Sequence, residues 1–206
     1  MSQAAPPKIR LNLGLTKELL AVVISIISFG VSIVSFYTGS LKAPDLHFYT
    51  APYIRHVVDS ESLNEAFYIP ITLANRGARS GTLVSIELTV VYLPDGSEKR
   101  YFGQYFTQDN SQVLLGDFFT PLSLNGYSAD SRTVCFYPLG ASPGNFINRV
   151  GEYEFRLTGT SANVRGETGS SIADVFRVQV DADMVRLMQS QPDGEYIYPI
   201  PVARAP

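Results

Sequence analysis

The hydropathy pattern is dominated by one run without charge. Residues 19–41 contain no Asp, Glu, Lys or Arg, and Glu18 and Lys42 bracket them. Those 23 residues, at about 1.5 Å each, make roughly 34 Å of helix, against about 30 Å of bilayer hydrocarbon. The run is rich in Ile, Val and Leu, whose β-branched members would suit a strand in water. In lipid a lone strand leaves its backbone groups unsatisfied, so the pattern predicts one transmembrane helix over residues 19–41. Tyr37 falls where an interfacial aromatic belongs. A cleaved signal peptide is the rival reading, with Thr38 and Ser40 as small residues near a cleavage point. Its apolar stretch would be about 7–15 residues, shorter than this one. Residues 1–18 read as a polar N-terminal arm in which Pro6-Pro7 opposes helix.

Inside the run the small residues are ordered. Ala21, Ser25, Ser28, Ser32, Ser35 and Gly39 are separated by 4, 3, 4, 3 and 4 positions. At about 100° per residue they fall on one stripe roughly 80° wide. Lipid gives helices no hydrophobic reason to meet, and close packing of small residues is what brings them together. The stripe therefore predicts a helix-packing face for a second copy or for another membrane subunit. The bland alternative is that each serine bonds back to the carbonyl four residues earlier.

After a linker at residues 38–45, broken by Gly39 and Pro44, the apolar period changes to two. Residues 46–58 form the first strand candidate, bent at Pro52. Phe67, Ile69, Ile71 and Leu73 alternate with Tyr68, Pro70 and Thr72, and Pro70 suggests an edge or a bulge. Val84, Ile86, Leu88 and Val90 alternate next. Pro94-Asp95-Gly96 is a turn, and residues 100–107 return as its partner strand. Residues 132–137, the Tyr153/Phe155/Leu157 alternation and the Phe176/Val178/Val180 alternation complete about seven strands. No amphipathic helix of three turns lies between them, which argues against a parallel sheet. The expected fold is mainly β, an antiparallel immunoglobulin-like sandwich over residues 42–188. Residues 189–206 are rich in proline (Pro192, Pro199, Pro201, Pro206) and read as an extended tail, packed on its own domain or docking a partner.

The stretch Ile69-Pro70-Ile71-Thr72-Leu73-Ala74-Asn75-Arg76-Gly77-Ala78-Arg79-Ser80-Gly81 resembles the strand–turn–strand of bacterial immunoglobulin-like, adhesion-related sandwich domains. With the helix before it, the region of residues 19–95 is similar to bacterial single-pass membrane proteins of unknown role that carry such a domain. The resemblance implies fold and anchoring only, because fold does not fix function. Asn75 and Gly77 suit a tight turn between two strands.

Charge then narrows the function. The chain is only 17% charged with a net charge of −3, so no basic excess supports nucleic-acid binding. Lys8, Arg10 and Lys17 precede the helix, whereas Lys42 alone follows closely. That bias places the N-terminus in the cytoplasm and the domain outside, the reverse being the alternative. No Asn-X-Ser/Thr sequon occurs, which suits a bacterial or archaeal envelope better than a eukaryotic exterior.

Little in the chain points to chemistry. Cys135, the one cysteine, sits in an apolar run and reads as a small buried hydrophobe. His47 and His56 are nine residues apart, on opposite faces of a straight strand, so no shared metal is expected. The closest acidic pairs (Asp59/Glu61, Glu152/Glu154, Asp181/Asp183, Asp193/Glu195) match no calcium loop. Residues 140–144 match GxSxG by letter, but Pro143 lacks the N–H that an oxyanion hole needs. Arg76 and Arg79 flank a loop and could meet an anionic headgroup or an acidic partner. Tyr101 and Tyr105 should share one strand face, with Phe102 and Phe106 on the other. No catalytic residue, cofactor or metal is expected. The leading reading is a non-enzymatic, membrane-anchored protein that binds a protein partner as an accessory or structural subunit of a membrane or envelope complex. The alternative is a carbohydrate- or ligand-binding module using Tyr101 and Tyr105.

Overall fold

A computed structural model describes residues 13–59, 64–107, 117–138, 144–162, 168–191 and 194–199. Lys8 and Arg10, Glu61, residues 140–143 of the GxSxG match, Pro192, Asp193, Pro201 and Pro206 lie outside the described residues. The chain divides into two compact units, Met1–Lys42 and Ala43–Pro206.

The first unit is helical. Helix α1 spans Leu13–Phe36. It continues through one wider turn, Tyr37–Leu41, closed where Lys42 N donates to Tyr37 O at 2.9 Å. The stretch Lys17–Leu41, 25 residues, is long and apolar enough to cross a membrane, and it is exposed at every position.

The second unit is mainly β. Its strands are β1 (Leu46–Thr50), β2 (Tyr53–Asp59), β3 (Asn64–Asn75), β4 (Gly81–Tyr92), β5 (Ser97–Thr107), β6 (Asp117–Phe118), β7 (Leu122–Leu124), β8 (Ala129–Pro138), β9 (Gly151–Ala162), β10 (Thr168–Val180) and β11 (Gly194–Pro199). A short helix, α2 (Ala182–Ser190), precedes β11. All pairings are antiparallel within one sheet of order β10-β9-β4-β5-β8-β3-β2-β11.

The sheet has eleven strands rather than about seven, for identifiable reasons. The first expected strand breaks at Pro52 into β1 and β2, which lie end to end along the same edge of β3. Pro70 is not on a sheet edge. It sits inside β3, and its carbonyl accepts from Ala51 N at 2.9 Å. A residue's N and O point to the same side in a strand, so the missing N–H of Pro70 faces the break between β1 and β2. Beyond Glu87 and Phe102 the strands β4 and β5 part, and β6 pairs with β5 while β7 pairs with β4 in the opening.

The remaining addition is at the C-terminus. Asp181 caps α2 by accepting from Met184 N at 2.8 Å. The proline-rich segment then pairs as β11 with β2, Tyr196 opposite His56 and Pro199 opposite Tyr53. Arg55 fastens it with two donors to Glu195, at 2.6 and 2.8 Å. Tyr196 and Tyr198 enter the core. Among the described residues the tail is thus part of the sheet, with Pro199 at its end where a lost ladder bond costs least.

Alternating side chains fill the concave side. Phe67, Ile69, Ile71 and Leu73 of β3 are buried with Ile86, Leu88 and Val90 of β4, Tyr153, Phe155 and Leu157 of β9, and Phe176, Val178 and Val180 of β10. Val84 falls outside this set because the register shifts between Leu83 and Ser85. The sheet curls until its ends meet by side chain. Phe67 of β3 touches Phe155 of β9 edge-on at 5.5 Å across the core, and Phe155 stacks at 5.2 Å on Phe176, its ladder partner in β10. Across the same closure Thr50 Oγ1 donates to Asp174 Oδ2 at 3.1 Å.

Candidate functional site

The strongest concentration of chemical groups is buried. Glu65 lies at the start of β3 on the concave face, fully covered. Its Oε1 accepts from Tyr101 OH at 2.5 Å, Phe146 N at 2.8 Å and Lys99 Nζ at 2.9 Å. Its Oε2 meets His56 Nε2 at 3.1 Å. The other ring nitrogen, Nδ1, lies 3.2 Å from Tyr198 OH, and the ring stacks on Phe67 at 4.7 Å. Lys99 also donates to Gly144 O at 2.9 Å. The cluster gathers β2, β3, β5, β11 and the segment before β9 around one carboxylate.

Burial alone would push the Glu65 carboxyl up. The hydrogen bond and charge of His56, the Tyr101 hydroxyl and the Lys99 charge together hold it down at about 2. Burial pushes the Tyr101 hydroxyl well up, and the adjacent Glu65 charge adds to it. His56 and Glu65 have no exposed surface, whereas Lys99 reaches toward solvent, with 13% of its side chain exposed. Among the described residues, no buried side-chain polar atom lacks a partner, and no set of three His, Cys, Asp or Glu residues could hold a metal. His47 is elsewhere, 2.9 Å from Asp45.

Tyr101 and Tyr105 do not share a face. The ladder between β5 and β8 shifts register between Gly103 and Tyr105. The extra residue of that bulge reverses the alternation. Tyr101 is buried in the concave core, whereas Tyr105 lies on the convex side beside Phe118, at 5.1 Å, and Tyr137, at 6.0 Å. Phe106 follows Tyr101 into the core. The expected two-tyrosine platform is therefore absent. On the convex side Tyr68, Cys135 and Tyr137 form a small apolar patch, and burial pushes the Cys135 thiol up to about 11.

The turn after β3 is organised by Asn75, itself buried. Its Oδ1 accepts from Gly77 N at 2.9 Å and Asp45 N at 3.1 Å, and its Nδ2 donates to Arg79 O at 2.8 Å and Asn125 O at 3.0 Å. One side chain thereby pins the start of β1, its own turn and the loop before β8. Arg76 and Arg79 are exposed on this turn. Arg76 lies over the Tyr49 ring at 5.7 Å and donates to its hydroxyl.

On α1, Ser25 donates to Ala21 O at 2.9 Å and Ser32 to Ser28 O at 2.8 Å. Two stripe hydroxyls are thus satisfied by their own helix, and what the stripe offers a neighbour there is small size. An open groove runs along part of it, lined by Ala21, Val22, Ser25, Ile26 and Phe29.

No protein-family model matches the chain, and no curated protein matches it. Two solved structures show a distant likeness. One is a crystal structure of a Bordetella pertussis protein provisionally named ApaA, at a TM-score of 0.38 and 14% identity, covering 79% of this chain and 98% of that one. The other is an X-ray structure of the structural-genomics target SoR45, at a TM-score of 0.37 and 12% identity, covering 66% and 84%. Scores at that level establish neither fold nor function.

Proposed function

We propose that this chain is a non-enzymatic, single-pass membrane protein whose β domain and helix bind a protein partner, as an accessory or structural subunit of an envelope complex. The carrying observation is the uninterrupted apolar helix, Lys17–Leu41, joined directly to a β unit that has its own core. The fully enclosed Glu65–His56 cluster supports the non-catalytic reading. A general acid or base must come within about 3 Å of a substrate proton, directly or through one water, and neither side chain has any exposed surface among the described residues. The helix associates with a neighbour through the face of Ala21, Ser25, Ser28, Ser32, Ser35 and Gly39. The charge bias before the helix sets the N-terminus in the cytoplasm and the domain outside. The curled sheet is read as an immunoglobulin-like sandwich, a reading supported by the Phe67–Phe155 contact, which joins β3 to β9 across the core.

Cross-linking mass spectrometry on detergent-solubilised native membranes tests this function. A reproducible partner, another subunit or a second copy, is expected. A chain recovered alone contradicts it.

A further inference from the structure

The fold brings a basic and aromatic loop cluster onto Ala43, the first residue of the β unit. Leu41 ends the helix, and Ala43 is two residues on. An extended chain covers at most about 3.6 Å per residue, so Ala43 lies within roughly 7 Å of the helix end. A Cβ built on Gly77 would stand 2.0 Å from Ala43 O, so the β3–β4 turn lies directly on Ala43. Tyr127 N donates to Gly77 O at 2.9 Å, which adds the loop before β8. Chain length alone therefore bounds how far the start of this turn cluster, Ala43, can lie from the last residue of the helix.

Its exposed side chains suit that place. Arg76 and Arg79 are exposed, and Tyr127 is 58% exposed at a positive φ of 54°. His47 lies 2.9 Å from Asp45, and Arg132 lies 2.7 Å from Asp130. The exposed charged side chains of the turn itself, Arg76 and Arg79, are both basic, and Tyr127 stands in the loop bonded to it. Tyrosine favours the headgroup layer, and arginine near an anionic surface is attracted over about a Debye length, roughly 10 Å at 0.1 M salt.

The geometry points to this turn, Arg76 and Arg79 with Tyr127, as a membrane-surface collar that binds anionic phospholipid headgroups. The inference rests on the helix being membrane-inserted. It assigns to the domain a contact with lipid that is separate from any protein partner.

The chain contains no tryptophan, so Tyr127→Trp in the full chain supplies a single indole reporter. The protein is reconstituted into phosphatidylcholine vesicles with or without phosphatidylglycerol, with bromine placed near the headgroup end of the acyl chains. The expected result is blue-shifted, quenched emission on the anionic vesicles and weaker quenching on the zwitterionic ones. The difference should disappear at 1 M salt, where screening falls to about 3 Å. Arg76→Gln with Arg79→Gln should abolish it. Arg79→Gln alone, which leaves Arg76 on Tyr49, should remove part of it and serves if the double variant misfolds. Glu98→Trp, at the far end of the β4–β5 hairpin, should stay unquenched. A chain that floats with the vesicles but shows no quenching at Tyr127→Trp overturns the collar alone. Quenching that ignores lipid charge and both arginines overturns the headgroup recognition. A chain that does not float overturns the membrane reading and the collar together.

Discussion

The Tyr101 hydroxyl donates to Glu65 Oε1 at 2.5 Å, joining β5 to β3 inside the closed core. Tyr101 and Glu65 are both fully buried, so their bond has no water to replace it. Breaking a buried ionic set by deleting one member leaves the other charges uncompensated, at about 3–5 kcal/mol. Glu65→Ala should therefore unfold at clearly lower urea than the parent. Tyr101→Phe, which removes one donor of several, should cost about 1–2 kcal/mol. Urea titration followed by circular dichroism measures both.

Acid should dissolve the same cluster. The Glu65 carboxyl is held at about 2 in the folded chain, against an ordinary value of 4.5. A depressed carboxyl contributes stability that is present above its unfolded value and is lost as pH falls through its folded value. The parent should therefore lose stability between about pH 4.5 and 2 from this group, on the order of 3 kcal/mol. A pH series of urea midpoints should show a flatter acid limb for Glu65→Gln. Equal acid limbs would mean that Glu65 carries no special load.

The turn that holds Ala43 should be intolerant. A Cβ on Gly77 meets backbone at Ala43 and Pro44, which cannot rotate away. Overpacking of this kind typically costs about 1–3 kcal/mol. Gly77→Ala should lower the melting temperature. Asn75→Asp should do so as well, because a carboxylate cannot donate to Arg79 O and Asn125 O.

The C-terminal strand should be indispensable. Tyr196 and Tyr198 are buried, and Tyr198 OH faces His56. A chain ending at Gln189 uncovers β2 and the polar cluster. It should bind a hydrophobic dye and unfold without a sharp transition, whereas cooperative unfolding at the parent midpoint would show that the tail is dispensable.

The legible parts of this molecule are those with a local period. The uncharged run was legible as a helix because a lone segment that long and apolar, if it spans a membrane, must make its backbone bonds within itself, and a helix long and apolar enough to span is what the run forms. The Phe67–Leu73, Tyr153–Leu157 and Phe176–Val180 alternations each chose the buried face, because a strand's period is fixed at two. The bend at Pro52 was legible from one residue. The Glu65 cluster was not. Its partners His56, Lys99, Tyr101 and Phe146 stand 9, 34, 36 and 81 residues away, and no spacing rule reaches so far. Nothing in the immediate sequence around Glu65 distinguishes it from a solvated charge. The bulge after Gly103 sent Tyr101 and Tyr105 to opposite sides for the same kind of reason, since it is set by the fit of β5 against β8. Glycine at 103 was the available hint. Of the proline-rich tail read as extended over residues 189–206, Gln189 and Ser190 end α2, whereas Gly194–Pro199 form a strand. Its pairing with β2 depends on an edge that only the assembled sheet provides.

The central claim is that the helix face does more than anchor. Ser28→Leu with Ser32→Leu fills the middle of the stripe, while Val23→Leu with Val34→Leu adds bulk on other faces. Native gel migration of the full chain from solubilised membranes, compared across the two pairs, is the direct measurement. The account predicts that the serine pair abolishes the higher-order species and the valine pair retains it. Identical behaviour of the two pairs would contradict it and leave the helix as an anchor alone.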